Sequence, residues 1–535
     1  MSLSFTNSPS EIAVLLRQID LPLHLERTGD GARCRLTADT PRSLDTLVGI
    51  VPAITQRELG SAAFQALFGL TKSYVGGAMA GAIASEALCV AASRVGGMAI
   101  FGAGGLSIEA IDAAMRALRA ELGDRAFGCN LLHAPHDPGH ELLVAERCLA
   151  HQVCALEAAA FLKVTPAVVL FRARGLKTLP SGEIAGARHV FAKVSRPEVA
   201  AQFLKPPPAT TLRELVAAQK LSEAEAALAA HLPVATAITA EADSGGHTDQ
   251  RPLSVLLPLV LAERDRAREK NGWREASVPI FVGAGGGLGD PNSFLAALAL
   301  GADYLVTGSL NQSCVEAGTS GMVKSLLCKA GMADMAMAPS ADLFEAGGRV
   351  QVLKRGTLFA QRAQRLLDAW KSADAFEALP QAERARIEAD ILQQPFEELW
   401  EGTLRYWQAR NPALAEKALL DGKTRMALTF RAYLGQSSRW ARDGIEDRKS
   451  DFQIWCGPAI GAFNEWVSGT WLAPAEARAF GPVLDALFHA SAALTRRQIL
   501  QGMGGEALPS MREVGRPAER EALAHGRVVR PIAEP

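Results

Sequence analysis

No Cys-x-x-Cys pair occurs in these 535 residues, and the eight cysteines (Cys34, Cys89, Cys129, Cys148, Cys154, Cys314, Cys328 and Cys456) follow no regular spacing. That argues against structural zinc and against a disulfide framework, and it suits a reducing compartment. An excess of either charge is missing too: 56 Lys and Arg stand against 57 Asp and Glu, a formal net charge of −1. Nucleic-acid binding needs a basic footprint, so none is expected. The amino terminus lacks the basic and then apolar regions of a signal peptide. The most apolar run, Leu253 to Leu261, is broken by Pro258 and falls far short of the roughly 20 residues of a membrane span. The chain is expected to be cytoplasmic, with no membrane partner. Two nucleotide signatures are also absent. A strict Gly-x-Gly-x-x-Gly fails because Leu288 stands in the sixth position after Gly283 and Gly285, and no glycine run ends in Gly-Lys-Ser/Thr. An open dinucleotide-binding sheet and a P-loop are thereby disfavoured.

What is present is 48% hydrophobic and 21% charged residues over a length that suits more than one domain. From about residue 70 to 310, short apolar runs alternate with Ala/Leu-rich helical patterns. Candidate strands are Tyr74-Val75, Met98 to Phe101, AFGCNLL (126–132), AVVLF (167–171), HVFAKV (189–194), ATAITAEA (235–242), VPIFVGAGG (278–286) and ADYLVTGS (302–309). Eight βα units closing on themselves make a (β/α)8 TIM barrel, an α/β fold of about 250 residues. The expected organisation is an N-terminal appendage (1–65), the barrel (66–370), a Trp-containing helical domain (371–505) and a disordered tail rich in Pro, Glu and Arg (506–535). LKPPP (204–208) leads into a helical insert over 212–230.

Two glycine loops follow the last two candidate strands. In TIM barrels the loops after strands seven and eight form the usual phosphate site, because their backbone N–H groups are exposed. Gly285, Gly286 and Gly287 in the first loop, with Gly308 and Ser309 in the second, are the expected phosphate ligands. Hydroxyls flank Gly308 on both sides, at Thr307 and Ser309. The loop GGAMAGAIAS (76–85) offers Ala78, Met79 and Ala80 to an aromatic ring, and Asn130 ends strand three. Together they suit flavin mononucleotide (FMN), with Asn130 bonding the polar edge of the flavin or simply forming a turn. The stretch EADSGGHTD (241–249) brings Gly245, Gly246 and His247 to the end of strand six. Adjacent glycines allow close approach of the backbone, and an imidazole handles protons near neutral pH.

The motifs AMAG, FGAGGLS, FGCNLL, EADSGGHTD, VGAGGGLGDP and GADYLVTGSLNQSCVEAGTS resemble, in order, the flavin-dependent nitronate monooxygenase and enoyl-reductase superfamily. VQVLKRGTLFAQRAQRL, RAYLGQSSRW and DFQIWCGPAIGAFNEWV are similar to a narrower group, the PfaD-type trans-acting enoyl reductases of polyketide and polyunsaturated-fatty-acid synthases. The resemblance covers about residues 45–475. It implies FMN on a TIM barrel, NAD(P)H as co-substrate, and an enoyl thioester on an acyl carrier protein as substrate and partner. It also implies His247 as the catalytic residue and Lys193 within reach of the flavin, the bland readings being a loop-orienting histidine and a surface lysine. A homodimer is an allowed state. Glu241 and Asp243 are expected to hold the loop or the imidazole. Gly77-Ala-Met-Ala-Gly81 stands where nitronate monooxygenases usually carry a proline, which argues mildly against nitronate oxidation.

Other features read as structural. His133, His136 and His140 have a metal-like spacing but sit among Pro135 and Pro138, so a solvated loop is expected. Cys314 is expected to pack, and Arg431, Arg439 and Arg442 to form a solvated face or meet an acidic carrier. The functions that compete with an enoyl reductase are a nitronate-oxidising flavin oxidase and a flavin-binding scaffold without turnover.

Overall fold

Eight parallel strands close on themselves, in the order expected of a TIM barrel: β1 (Tyr74–Gly76), β2 (Met98–Phe101), β3 (Gly128–Leu132), β4 (Ala155–Ala159), β5 (His189–Val194), β6 (Ala237–Glu241), β7 (Phe281–Gly285) and β8 (Tyr304–Thr307). Each pairs in parallel with the next, and β8 pairs with β1. The computed structural model describes residues 3–29, 33–41, 43–134 and 137–520. No helix among them is long and apolar enough to cross a membrane.

Seven of the strands lie where the apolar runs place them. The fourth does not. AVVLF lies inside a helix, Pro166–Ala173, and the true β4 is Ala-Leu-Glu-Ala-Ala, a segment of helix-favouring residues. Pro166 at the first helical position presets the helical φ and needs no amide donor, which outweighs the strand preference of Val168 and Val169. All five residues of β4 are buried, and burial rather than propensity makes them a strand.

Side chains alternate across each strand, so every second residue enters the barrel. The lower interior is apolar: Met98, Ile100, Ala155, Phe191, Ala237, Phe281 and Tyr304 pack around Phe64. Phe64 comes from a helix, Ala62–Phe68, capped by the Ser61 side chain. Its ring stacks on Tyr304 with centroids 4.5 Å apart and meets Phe281 edge-on. Tyr304 also explains one glycine of the β7 run. A Cβ on Gly283 would lie 2.3 Å from the tyrosine ring, so Gly283 serves core packing, not a ligand loop.

The N-terminal residues are more ordered than an irregular appendage. Leu23–Arg27, Cys34–Thr37 and Leu47–Val51 form a three-stranded antiparallel sheet. The 212–230 insert is two short helices, Ala209–Ala217 and Glu223–Ala229, the second opened by a Ser222/Glu225 capping box.

The chain divides into two compact units, and not at residues 370 and 505. The first comprises residues 1–242, 251–317 and 462–535, and the second 243–250 and 318–461. The helix Phe480–Gly502 belongs to the first. It packs against the helices after β1 (Glu86–Arg94) and β7 (Pro291–Ala299), so it occupies the place of the helix that follows β8. Glu316 caps it by accepting from the Phe480 backbone N–H at 2.9 Å. The expected tail is folded as far as the structure describes it, with a helical turn at Met511–Val514 and the Trp466 indole donating to the Gly515 carbonyl. Residues 521–535 lie outside the described residues.

In the second unit, Gly246–His247, Arg349–Leu353 and Met335–Pro339 form a three-stranded antiparallel sheet. Helices over residues 359–443 bury Phe376, Phe396, Trp400, Phe430 and Tyr433 in a separate apolar core.

Candidate active site

Above the apolar layer, the upper interior of the barrel turns polar. Asn130 and Glu157 are register partners on β3 and β4, and the Asn130 amide donates to Glu157 Oε1 at 3.3 Å. Lys193 near the end of β5 donates to Glu241 Oε1, the last residue of β6, at 3.0 Å. Lys193 and Glu241 are about one-fifth exposed, whereas Glu157 is 2% exposed. Burial disfavours the Lys193 charge, but Glu241 and Glu157 outweigh it and the ammonium is held above its ordinary range. Burial is the main effect on Glu157. It raises the carboxyl above the glutamate range, against the pull of Lys193 and with the push of Glu241.

The sequence gives no sign of Glu157, because its strand carries no strand signal. Its raised proton affinity has a measurable sign. A folded-state value above the unfolded one means that folded protein binds the proton more tightly, so this contribution is complete at low pH and is lost as pH rises through the raised value. Glu157→Gln, neutral throughout, is expected to flatten the decline of thermal stability from the ordinary glutamate range upward. Melting curves of both proteins across that range test this, and parallel curves would mean that Glu157 is ionised at no cost.

Above this layer lie the glycine loops. Gly286 and Gly287 have φ of +82° and +72°, a region open to glycine at little cost. A Cβ on Gly287 or Gly308 would meet nothing within 4 Å, so open space borders the backbone there. Ser309 begins a short helix, Ser309–Gln312. Thr307, expected as the second hydroxyl of this loop, turns away: it is buried and donates to Asn311 Oδ1 at 2.9 Å. On the β1 side, Ala78, Met79 and Ala80 are half-buried. Their loop is tied to the β2 loop, with the Gly81 and Ala82 N–H groups donating to the Gly104 and Gly102 carbonyls. A Cβ on Gly102 would overlap the Met79 carbonyl.

The segment 243–250 belongs to the second unit, and its glycines have a different reason from the expected one. A Cβ on Gly245 would lie 2.5 Å from the Cys456 Cα, and one on Gly246, at φ +78°, 2.8 Å from the Trp455 ring. The Gly-Gly pair therefore lets the segment lie against Trp455-Cys456, a contact that no local pattern announces. Asp243 accepts from the Gln351 amide at 2.8 Å, and the same amide donates to the Ser244 carbonyl. Neither Glu241 nor Asp243 holds the imidazole. His247 Nε2 meets Asp342 Oδ1 at 3.0 Å, and the Trp455 ring faces the imidazole edge-on with centroids 5.5 Å apart.

The remaining candidates resolve as follows. His133 Nδ1 lies 2.8 Å from Glu141 Oε1, which also accepts from the Ala134 N–H; His136 lies outside the described residues. Cys314 is buried and its thiol donates to the Leu310 carbonyl. Arg431 pairs with Glu345 and lies over the Trp407 ring, and Arg442 pairs with Asp443; Arg439 is exposed.

Comparison with known proteins places this geometry in a family. The family model described as nitronate monooxygenase matches residues 64–351, and that described as the inserted helical domain of [acyl-carrier-protein] S-malonyltransferase matches residues 373–452. The chain belongs to the nitronate monooxygenase family. Within it, the chain stands with the enoyl reductases of polyketide and polyunsaturated-fatty-acid synthases. It is similar to the enoyl reductase domain of MlnA from the macrolactin cluster of Bacillus amyloliquefaciens, with a TM-score of 0.78 and 34% identity over 83% of this chain and 99% of that one. It is 40% identical over 461 residues to a polyunsaturated fatty acid synthase subunit of Thraustochytrium sp., covering 86% of this chain and 30% of that protein. It is 41% identical over 420 residues to polyketide biosynthesis protein PksE of Bacillus subtilis, covering 78% and 54%. The chain thus spans about half or less of the length of these curated relatives.

Proposed function

We propose that this protein reduces the α,β double bond of enoyl thioesters carried on an acyl carrier protein, with FMN as cofactor and NAD(P)H as the source of electrons. The observation that carries this reading is the likeness over nearly the whole of the MlnA enoyl reductase domain. The carrier is supported by relatives that are synthase components and by the helical segment matching an acyl-carrier-protein transferase.

The residues fit a flavin with a single phosphate. The positive-φ glycines Gly286 and Gly287, with Gly285, Gly308 and Ser309, would form the backbone cradle, and open space borders Gly287 and Gly308. Ala78, Met79 and Ala80 would lie against the ring. Asn130 and the Lys193 ammonium, kept charged by Glu241 and Glu157, would bond its polar edge. The flavin, when bound, supplies the hydride that reaches the β-carbon of the thioester. Negative charge then develops on the thioester oxygen, and the α-carbon needs a proton. His247 is the group that stabilises that charge and delivers that proton.

The test uses a carrier-bound enoyl group incubated with the protein and NADPH, read by mass. A gain of about 2 daltons, one hydride and one proton, is expected. The family also contains nitronate oxidation, so flavin reoxidation by the thioester is timed against reoxidation by oxygen in the same samples. Reoxidation by oxygen alone, with no mass gain, would assign the protein to the oxidase reading; failure of NAD(P)H to reduce the flavin would assign it to the scaffold.

A further inference from the structure

His247 has two ring nitrogens with different surroundings. Nε2 faces the Asp342 carboxylate at 3.0 Å, whereas Nδ1 has no hydrogen-bond partner among the described residues. Asp342 is well placed to stay an acceptor. Partial burial pushes its carboxyl upward, but the hydrogen bond and the charge of His247 prevail and hold it below the usual carboxylate range. An ionised carboxylate has only lone pairs to offer, so the hydrogen between the two groups belongs to Nε2.

The ring is also restrained from turning over. His247 pairs with Val350 and Gly246 with Gln351 in the antiparallel sheet, which fixes the backbone under the imidazole. Trp455 meets the ring edge-on at an interplanar angle of 84°, and its segment is anchored in turn by the Leu353 N–H donating to the Ile454 carbonyl at 2.9 Å. These restraints matter because both members of the pair are partly exposed, His247 at 36% and Asp342 at 61%. An exposed ion pair contributes little to stability by itself. Its value here is in fixing which atom is left over.

We infer that Asp342 is a positioning residue that commits Nε2 of His247 to itself and leaves Nδ1 as the nitrogen that hands a proton to the substrate. The inference rests on the proposed role of His247 as proton donor. In the proposed step the doubly protonated ring gives up the Nδ1 hydrogen. The N–H electron pair stays on the ring, the enolate pair forms the new α-carbon–hydrogen bond, and the thioester carbonyl re-forms. Nε2–H remains bonded to Asp342, so the neutral ring is left in one tautomer and takes its next proton from water at Nδ1. Asparagine in place of Asp342 offers both a donor and an acceptor, and so no longer selects the tautomer.

The experiment uses flavin-loaded protein with nitrogen-15-labelled histidine, the His247 signals being assigned by their loss in His247→Ala. The neutral ring of the native protein is expected to carry its hydrogen on Nε2. Asp342→Asn is expected to shift the ring toward the Nδ1–H tautomer. It should also slow reoxidation of the reduced flavin by enoyl thioester about 10²-fold, the lower end of what a positioned acid contributes, with KM little changed. Asp342→Glu, which keeps the carboxylate, should restore the native tautomer and much of the rate. If His247→Ala turns over normally, the reading of His247 falls and this inference falls with it. If His247→Ala is slow but Asp342→Asn alters neither tautomer nor rate, His247 keeps its role and the inference about Asp342 and Nδ1 is overturned. A native ring with its hydrogen on Nδ1 overturns it as well.

Discussion

Gly308→Asp is expected to leave the protein folded and yet unable to keep its flavin, with affinity lowered by more than about 100-fold, or about 2.7 kcal/mol. The position is chosen for its geometry. Gly308 has φ −125°, which any residue adopts, and a Cβ there meets nothing within 4 Å. A side chain is therefore tolerated by the fold and enters the space beside the glycine loops. If that space belongs to the flavin phosphate, the carboxylate both fills it and opposes its charge, which costs several kcal/mol in a partly buried site. Gly286 would be a poorer choice, since its φ of +82° strains any replacement and confuses misfolding with lost binding. Gly308→Ala is the control that separates charge from shape and is expected to bind within about threefold of the native protein. Absorbance of the purified proteins and equilibrium dialysis with FMN give the answer. A Gly308→Asp protein that retains a full complement of flavin would move the phosphate elsewhere.

His247→Ala is expected to retain flavin and to accept electrons from NADPH, while reduction of the enoyl thioester falls by about 10²- to 10⁴-fold, or roughly 2.7–5.4 kcal/mol of transition-state stabilisation. The imidazole lies in the antiparallel sheet of the second unit, where its hydrogen bond goes to Asp342 and its ring meets Trp455. Its loss should therefore spare flavin binding. The two half-reactions are followed separately by flavin absorbance, so the defect can be assigned to one of them. Loss of flavin would make His247 a structural residue of its segment, and unimpaired turnover would mean that water or another side chain supplies the proton.

The parts legible in the sequence are those written locally. The Gly286-Gly287 turn just after β7, the apolar runs of β2, β5 and β7, and Lys193 near the end of β5 stand where periodicity places them. Asn130 instead lies in the middle of β3 and His247 in the sheet of the second unit, not at the ends of strands three and six. β4 was not legible, because Ala155-Leu-Glu-Ala-Ala159 carries no β-branched residue and is a strand only through burial. Its loss hid Glu157, the most buried charge-bearing group of the polar layer. Asp342 was hidden for another reason: it lies 95 residues from His247, in a turn with no periodicity to betray it. The Gly245-Gly246 pair was visible, but its cause was not, since the obstruction comes from Trp455 and Cys456, over two hundred positions along the chain.

The place of the helix Phe480–Gly502 has a consequence for how the chain is made. Strand β8 ends at Thr307, but the helix that follows it in the barrel wall is translated only after residues 318–461, which fold into a unit of their own. As the chain leaves the ribosome, all eight strands are available long before the wall is complete. In that interval Tyr74 and Phe294 lack the Phe480 and Phe488 rings that pack on them in the finished protein. Exposed apolar surface of this kind is what chaperones bind and aggregates share. The barrel is thus finished last by a segment far from its strands, and its birth depends on the inserted unit folding quietly while the wall stands open.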